Sequence, residues 1–184
     1  MAPTANPAVS RYHPLITLLH WVLTVLIIGS LTLGFFRIAP MANTDPQKIG
    51  LLRIHMIVGI VILALTIIRL FVRLSTSTPP AASAGHRALD KLAKSAHYAF
   101  YLLVVLMATS GIAISILSGL GLIAFGFSDG SLPPSFIVYP PRIAHGYFAI
   151  ALAALIGLHV VASLYHQFVL RDGVFRRIWF GQRS

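Results

Sequence analysis

The stretch IAHGYFAIALAALIGLHVVASLYHQFVL, residues 143–170, runs for 28 residues without an acidic side chain, a lysine or an arginine. A transmembrane helix needs about 20 residues, so this stretch is long enough to cross a bilayer. His145 and His159 lie fourteen residues apart. This is close to a whole number of turns, so both face one side of the helix, about 21 Å apart along its axis. Histidines at membrane depth are rare and usually functional, and neutral imidazole ligates haem iron. The spacing predicts one haem ligand near each membrane surface.

The composition of the whole chain also indicates a membrane protein. Of 184 residues, 57% are hydrophobic and 10% are charged, and the mean hydropathy is +0.85. Soluble domains carry about 25% charged residues. The chain has no cysteine, which excludes disulfides, iron–sulfur clusters and covalently attached c-type haem. It has no glutamate and only four aspartates, too few for a carboxylate-rich metal centre or paired-carboxylate hydrolysis. The net charge of +10 could suggest nucleic acid, but the basic residues flank apolar segments, which favours lipid headgroups.

Four apolar runs predict an all-α membrane protein, a four-helix transmembrane bundle with helices at about 15–36, 51–74, 95–118 and 142–170. The first run is too long for a signal-peptide core and lacks a small-residue cleavage site, so we expect a retained helix. In the second, Arg53 and Arg69 are expected to reach toward the headgroups. Glycines 119, 121 and 126 predict an interfacial or re-entrant piece after Ser118. Residues 75–85 are predicted to form a linker on the inner side. Because the sequence shows no internal repeat, residues 1–184 are predicted to form one di-haem domain.

The distribution of basic residues predicts the orientation of the bundle. Ten of the fourteen lie in the N-terminal segment, in residues 69–94 and in the C-terminal tail. Cytoplasmic loops carry an excess of lysine and arginine. Both termini are therefore predicted to be cytoplasmic, in a multi-pass protein of the bacterial inner membrane.

Orientation gives each histidine a depth, and the depths match in pairs. His20 and His159 lie in the inner halves of helices 1 and 4, whereas His55 and His145 lie near the outer ends of helices 2 and 4. Each pair is predicted to hold one haem b between facing helices. A lone histidine in a span often only hydrogen-bonds to a neighbour, but four at two matched depths favour ligands. Three glycines near them would let a flat macrocycle approach the backbone: Gly59, Gly146 and Gly157.

Four histidines remain. His13 precedes Pro14 outside the first span and His86 lies in the inner linker, so both are predicted to be solvated surface residues. His166 continues a seven-residue series on helix 4, and His97 opens helix 3 at the same cytoplasmic side. These last two are candidates for hydrogen bonds or proton transfer to a quinone carbonyl or a haem propionate. The alternative is that they are interfacial polar anchors.

Several short motifs match a known pattern between Tyr12 and Asp172. They are Arg11-Tyr12, Leu19-His20-Trp21, Arg53-Ile54-His55 with Gly59, Arg69-Leu70, Arg73-Leu74, Pro79-Pro80, His97 with Tyr101-Leu102-Leu103 and Gly111, His145-Gly146-Tyr147-Phe148, and His159 with His166. With these motifs the chain resembles the bacterial cytochrome b561 family, di-haem proteins of the inner membrane. The match is weakest in residues 119–141, and His13 lies outside the pattern. The resemblance implies that His20, His55, His145 and His159 ligate the irons of two haems b. It also implies superoxide oxidation with ubiquinone as the electron acceptor.

The charges at the predicted outer face suit an anionic substrate. Lys48, Arg53 and Arg142 lie close in sequence to His55 or His145, with Asp45 and Asp129 as the opposing acids. Such a basic patch raises the local concentration of an anion such as superoxide and its encounter rate. These residues are therefore candidates for substrate steering. The alternative is that they bind lipid phosphates or haem propionates.

Two other functions fit the same residues. The chain can be a haem b electron-relay subunit that links quinone to a separate dehydrogenase or reductase partner, which a stable complex with that partner would indicate. It can also be a haem-free proton or metal transporter built on the same histidines. A reduced-minus-oxidised spectrum without a b-type band would favour the transporter.

Overall fold

The computed structural model describes residues 9–80 and 87–182, and in these residues the protein is all-helical, without a β-strand. Six α-helices follow one another: α1 (Pro14–Leu33), α2 (Pro46–Ser75), α3 (Arg87–Leu117), α4 (Leu120–Ala124), α5 (Pro140–Tyr165) and α6 (Val174–Arg177). Helices α1 and α5 each continue into one π-helical turn, Gly34–Ile38 and His166–Leu170.

Four of these helices are long and apolar enough to cross a membrane, which confirms the predicted four-helix architecture. The spans are Pro14–Ile38, Pro46–Ser75, Asp90–Leu117 and Pro140–Leu170. Only 11–22% of the most apolar stretch of each span is buried inside the protein. Most apolar side chains therefore face outward, where lipid would cover them.

Local sequence signals set where the helices begin. Proline occupies the first position of α1, α2 and α5, where its missing N–H costs no hydrogen bond. The Asp45 carboxylate accepts a hydrogen bond from the Gln47 N–H (2.8 Å), so α2 begins before the apolar run predicted to start at residue 51. His13, predicted to be a solvated surface residue, caps α1, where its Nδ1 accepts from the Leu15 N–H (3.2 Å).

The chain after α3 turns back onto the bundle. Gly119 has φ 69°, a left-handed conformation that lets the chain reverse between α3 and α4. Helix α4 then packs against α2, where Leu52, Leu120, Ala124 and Leu132 form a buried cluster. The Arg53 Nε donates to the carbonyl of Ala124, which ties α4 to α2. We call this the α4 end of the bundle.

The N- and C-terminal segments meet at the opposite end. The Tyr12 N–H donates to the Arg177 carbonyl (3.0 Å), and Arg11 Nη1 donates to the Phe180 carbonyl (2.8 Å). The Trp21 indole N–H donates to the Ile178 carbonyl (3.2 Å). We call this end of the bundle the termini end. A buried cluster of Leu23, Ile62 and Val104 joins α1, α2 and α3.

Candidate functional site

One pair of histidines faces across the bundle at the α4 end. The rings of His55, on α2, and His145, on α5, have centroids 6.1 Å apart and planes at 72°. Two histidine nitrogens, each about 2 Å from one metal ion, would place their ring centroids about 6 Å apart. The spacing therefore fits a single iron between the rings. The structure brings together the two residues that the depth argument pairs, and we call them the α4-end pair.

Three histidines meet near the termini end. His20 on α1 lies with its ring centroid 6.4 Å from that of His159 on α5, and the planes make 63°. His97 on α3 lies at 6.1 Å from the same His159 ring, at 72°. The predicted depths pair His20 with His159, whereas His97 is predicted to open helix 3 at the cytoplasmic side. His159 thus has two imidazoles at ligand spacing, and we call the three residues the termini-end cluster.

Serine hydroxyls hold both rings of the α4-end pair. Ser30 Oγ lies 3.2 Å from His55 Nδ1, and Ser110 Oγ lies 2.9 Å from His145 Nδ1. Ser110 Oγ also lies 2.9 Å from the Met107 carbonyl, so its hydroxyl can donate there while it accepts from His145 Nδ1–H. In that arrangement His145 carries its proton on Nδ1 and leaves the Nε2 lone pair free for a metal. Metal-ligating histidines are usually oriented by such a second hydrogen bond.

Two glycines allow the histidine rings of the α4-end pair to lie against neighbouring helices. A Cβ on Gly34 would lie 3.7 Å from His55 Cε1, and one on Gly111 would lie 3.4 Å from His145 Cε1. Among the glycines predicted to admit a macrocycle, Gly59 and Gly157 have open space where a Cβ would lie. Gly146 instead lies under the Arg142 side chain, whose Nη1 would be 3.2 Å from a Cβ.

The three basic residues predicted to steer an anion differ in their surroundings. Lys48 is 5% exposed, and its Nζ donates to the Met41 carbonyl (2.5 Å). Arg53 is exposed even though its Nε reaches Ala124. Arg142 is half-buried and folds over Gly146, next to His145. Arg53 and Arg142 are thus better placed than Lys48 to meet an anion from solvent.

His166 lies in the π-helical turn after α5, away from the termini-end cluster, and pairs with Asp172. Its Nδ1–H donates to Asp172 Oδ2 (2.5 Å). Desolvation raises the pKa of Asp172, but hydrogen bonds from His166 and from the Val174 N–H, with the charge of Arg177, hold the pKa below its ordinary value. His86 lies outside the described residues, so its predicted exposure has no structural counterpart.

A cationic side chain borders the termini-end cluster. Arg69 on α2 donates from Nη1 to the Tyr101 hydroxyl on α3 (2.8 Å), and Tyr101 lies one turn along α3 from His97. Within the described part of the chain, Arg69 Nε and Thr66 Oγ1 are buried without a hydrogen-bond partner. From the sequence, Arg69 is expected to reach toward the lipid headgroups, and Thr66 is not among the predicted site residues.

A membrane bundle of four long helices, with facing histidines at iron-ligand spacing toward each end, defines the class of membrane cytochromes that hold haem b between helices. The family model described as prokaryotic cytochrome b561 matches residues 11–181. The chain therefore belongs to the prokaryotic cytochrome b561 family. Membership makes it a haem b-binding electron-transfer protein, and with the four apolar helices it indicates the bacterial inner membrane.

Individual relatives agree with this assignment along nearly their whole length. A probable superoxide oxidase CybB of Yersinia pestis is 31% identical over 171 residues, covering 87% of this chain and 90% of the relative. Cytochrome b561 homolog 2 of Escherichia coli (strain K12) is 24% identical over 172 residues, covering 91% and 90%. Cytochrome b562 of Cereibacter sphaeroides is 28% identical over 179 residues, covering 95% and 97%.

Proposed function

We propose that this protein is a di-haem cytochrome b that oxidises superoxide at the periplasmic face and reduces ubiquinone, with residues 1–184 acting as one domain. The observation that carries the proposal is the placement of two histidine groups at ligand spacing, one toward each end of the bundle. Helix α5 contributes to both through His145 and His159, about 21 Å apart along its axis. One haem b at each group would supply two redox centres across the membrane.

The haem ligands follow from the ring geometry. His55 and His145 would hold the haem at the α4 end, and His20 and His159 the haem at the termini end. Each iron would then carry two protein ligands, so electrons would enter and leave through the macrocycle edge. The serine hydroxyls fix the orientation of the α4-end rings, which keeps their Nε2 atoms available.

The α4 end is the proposed periplasmic end. Nine of the fourteen lysines and arginines lie in described segments at the termini end, which the positive-inside rule assigns to the cytoplasm. Arg53 and Arg142 would draw superoxide toward the α4-end pair, with Lys48 adding charge from below the surface. The name of the Yersinia relative as a probable superoxide oxidase supports this choice of substrate.

The termini end is the proposed site of ubiquinone reduction. Oxidation of two superoxide anions to two dioxygen molecules supplies two electrons, and ubiquinone would take these up together with two protons from the cytoplasmic side. His97, beside His159, is the first candidate for a hydrogen bond to a quinone carbonyl. His166, hydrogen-bonded to the exposed Asp172, is a candidate for taking a proton from the cytoplasmic solvent.

Superoxide consumption by the purified holoprotein tests this function. We expect a b-type reduced-minus-oxidised band, two haems per chain, and a rate that requires added ubiquinone and falls as salt screens the basic residues. The double variant Arg53→Gln/Arg142→Gln should slow the reaction at low salt, whereas Arg176→Gln, which removes an exposed charge at the termini end, should not. A quinone-independent rate, or one insensitive to salt, would contradict the proposal. Co-purification with a soluble dehydrogenase and no superoxide reaction would identify a relay subunit instead.

A further inference from the structure

Two buried polar groups of α2 have no partner in the described structure, and they lie one turn apart. Thr66 is 6% exposed and its Oγ1 is buried without a hydrogen bond. Arg69 uses Nη1 for the Tyr101 hydroxyl, with its Cζ 5.9 Å from the Tyr101 ring centroid, but its Nε is also unpartnered. Arg69 Nε is a donor, and the Thr66 hydroxyl can donate or accept. A single acceptor group could therefore take a hydrogen bond from each of them.

Within residues 9–80 and 87–182, no carboxylate pairs with this guanidinium. Its four acids are Asp45, Asp90, Asp129 and Asp172. Asp45 caps the opposite end of α2, Asp129 follows α4, and Asp172 pairs with His166. Asp90 lies eleven residues before Tyr101 on α3, about 16 Å along the helix axis. A buried cation inside a membrane span is costly unless an anion accompanies it.

We infer that Arg69, Thr66 and Tyr101 form a binding site for a carboxylate, namely a propionate of the haem at the termini-end cluster. This inference rests on the proposed function, because it takes His20 and His159 as ligands of that haem. Haem b carries two propionates, and Tyr101, the hydrogen-bond partner of Arg69, lies one turn along α3 from His97 of that cluster. A quinone carbonyl would also accept a hydrogen bond, but it brings no negative charge to offset the guanidinium.

Substitution of Arg69 tests the site through the haem itself rather than through turnover. Arg69→Gln should lower the midpoint potential of one of the two haems, because a nearby cation stabilises the added electron, and should shift the propionate bending mode in the resonance Raman spectrum. Arg69→Lys should preserve most of the potential, and Tyr101→Phe should produce a smaller shift in the same direction. Arg37→Gln removes an exposed charge in the π-helical turn after α1 and is the matched control. If Arg69→Gln does not fold, Arg69→Lys and Tyr101→Phe still decide the question through the Raman mode.

Reconstitution with an esterified cofactor identifies the ligand. Haem dimethyl ester lacks the propionate charges, so Arg69→Gln should weaken retention of haem b at the termini end but should hardly change retention of the ester. Equal losses of haem b and of the ester in Arg69→Gln would overturn the inference. So would an Arg69→Gln variant whose haem signals match Arg37→Gln, or one in which only the ubiquinone KM changes. If His159→Ala left two haems per chain, the proposed function itself would be wrong, and the haem content reveals this separately.

Discussion

Replacement of Ser110 by alanine should raise the midpoint potential of the α4-end haem without removing the haem. His145 Nδ1 lies 2.9 Å from Ser110 Oγ, and a neutral His145 that ligates iron through Nε2 carries its proton on Nδ1 and donates it to that hydroxyl. Donation from Nδ1 makes a ligating imidazole more basic and favours ferric iron. A net hydrogen bond contributes about 0.5–1.5 kcal/mol. At about 59 mV per tenfold change for one electron, full loss of this contribution from the ferric state corresponds to about 20–60 mV.

A redox titration followed at the b-type absorption band measures this shift. Thr109→Ala is the matched control, because it removes a neighbouring hydroxyl that donates to the Val105 carbonyl (2.9 Å) and is exposed on the outside of the bundle. Ser30→Ala should act in the same direction with a smaller shift, since its contact with His55 is longer, 3.2 Å. Identical potentials for Ser110→Ala and Thr109→Ala, or a downward shift in the serine variant, would refute the assignment of the Nδ1 proton.

Three further outcomes are expected. His145→Ala should remove one haem and His159→Ala the other, and His20→Ala should resemble His159→Ala. If His20→Ala retained two haems but His97→Ala lost one, His97 rather than His20 would be the second ligand of the termini-end haem. Gly111→Ala should retain both haems, because the added Cβ would meet His145 Cε1 at an ordinary contact distance of 3.4 Å, whereas Gly111→Leu should displace that ring and reduce haem content at the α4 end; equal haem content in the two variants would contradict this. Asp172→Asn should lower thermal stability at neutral pH, and the difference from the wild type should vanish as the pH falls below 3.8, because a carboxyl with a depressed pKa stabilises only when ionised. A difference that persists at low pH would contradict it.

The spans and the histidine faces could be predicted because the bilayer imposes strong rules. A span must be long and apolar, and a helix repeats its faces regularly, so depth and direction follow from position. The residues at which the helices begin and end could be predicted less accurately. Helix α3 begins at Arg87, eight residues before the predicted start, because Asp90, Lys91 and Lys94 extend it beyond the apolar run. His97 therefore lies almost three turns inside the helix rather than at its start. Its ring centroid is 6.1 Å from that of His159.

The groups that surround the ligands could not be predicted. Ser30 and Ser110 are isolated polar residues in apolar runs, and their role depends on which neighbouring helix each one faces. Gly34 and Gly111 matter because rings from other helices lie against them, whereas Gly146, expected beside a macrocycle, is covered by Arg142. Such contacts depend on the rotation of each helix about its axis, and hydropathy alone does not determine that rotation.

The contact between the chain ends has a consequence for biosynthesis. Trp21, the neighbour of His20, is hydrogen-bonded to the carbonyl of Ile178, and Arg11 to that of Phe180. Ile178 and Phe180 leave the ribosome after all four spans, so these hydrogen bonds to Trp21 and Arg11 can form only late in synthesis. The α4-end pair, in contrast, needs only residues up to α5. Insertion of cofactor is therefore expected to proceed in a fixed temporal order, with the α4 end ready first and the termini end completed after synthesis of the tail.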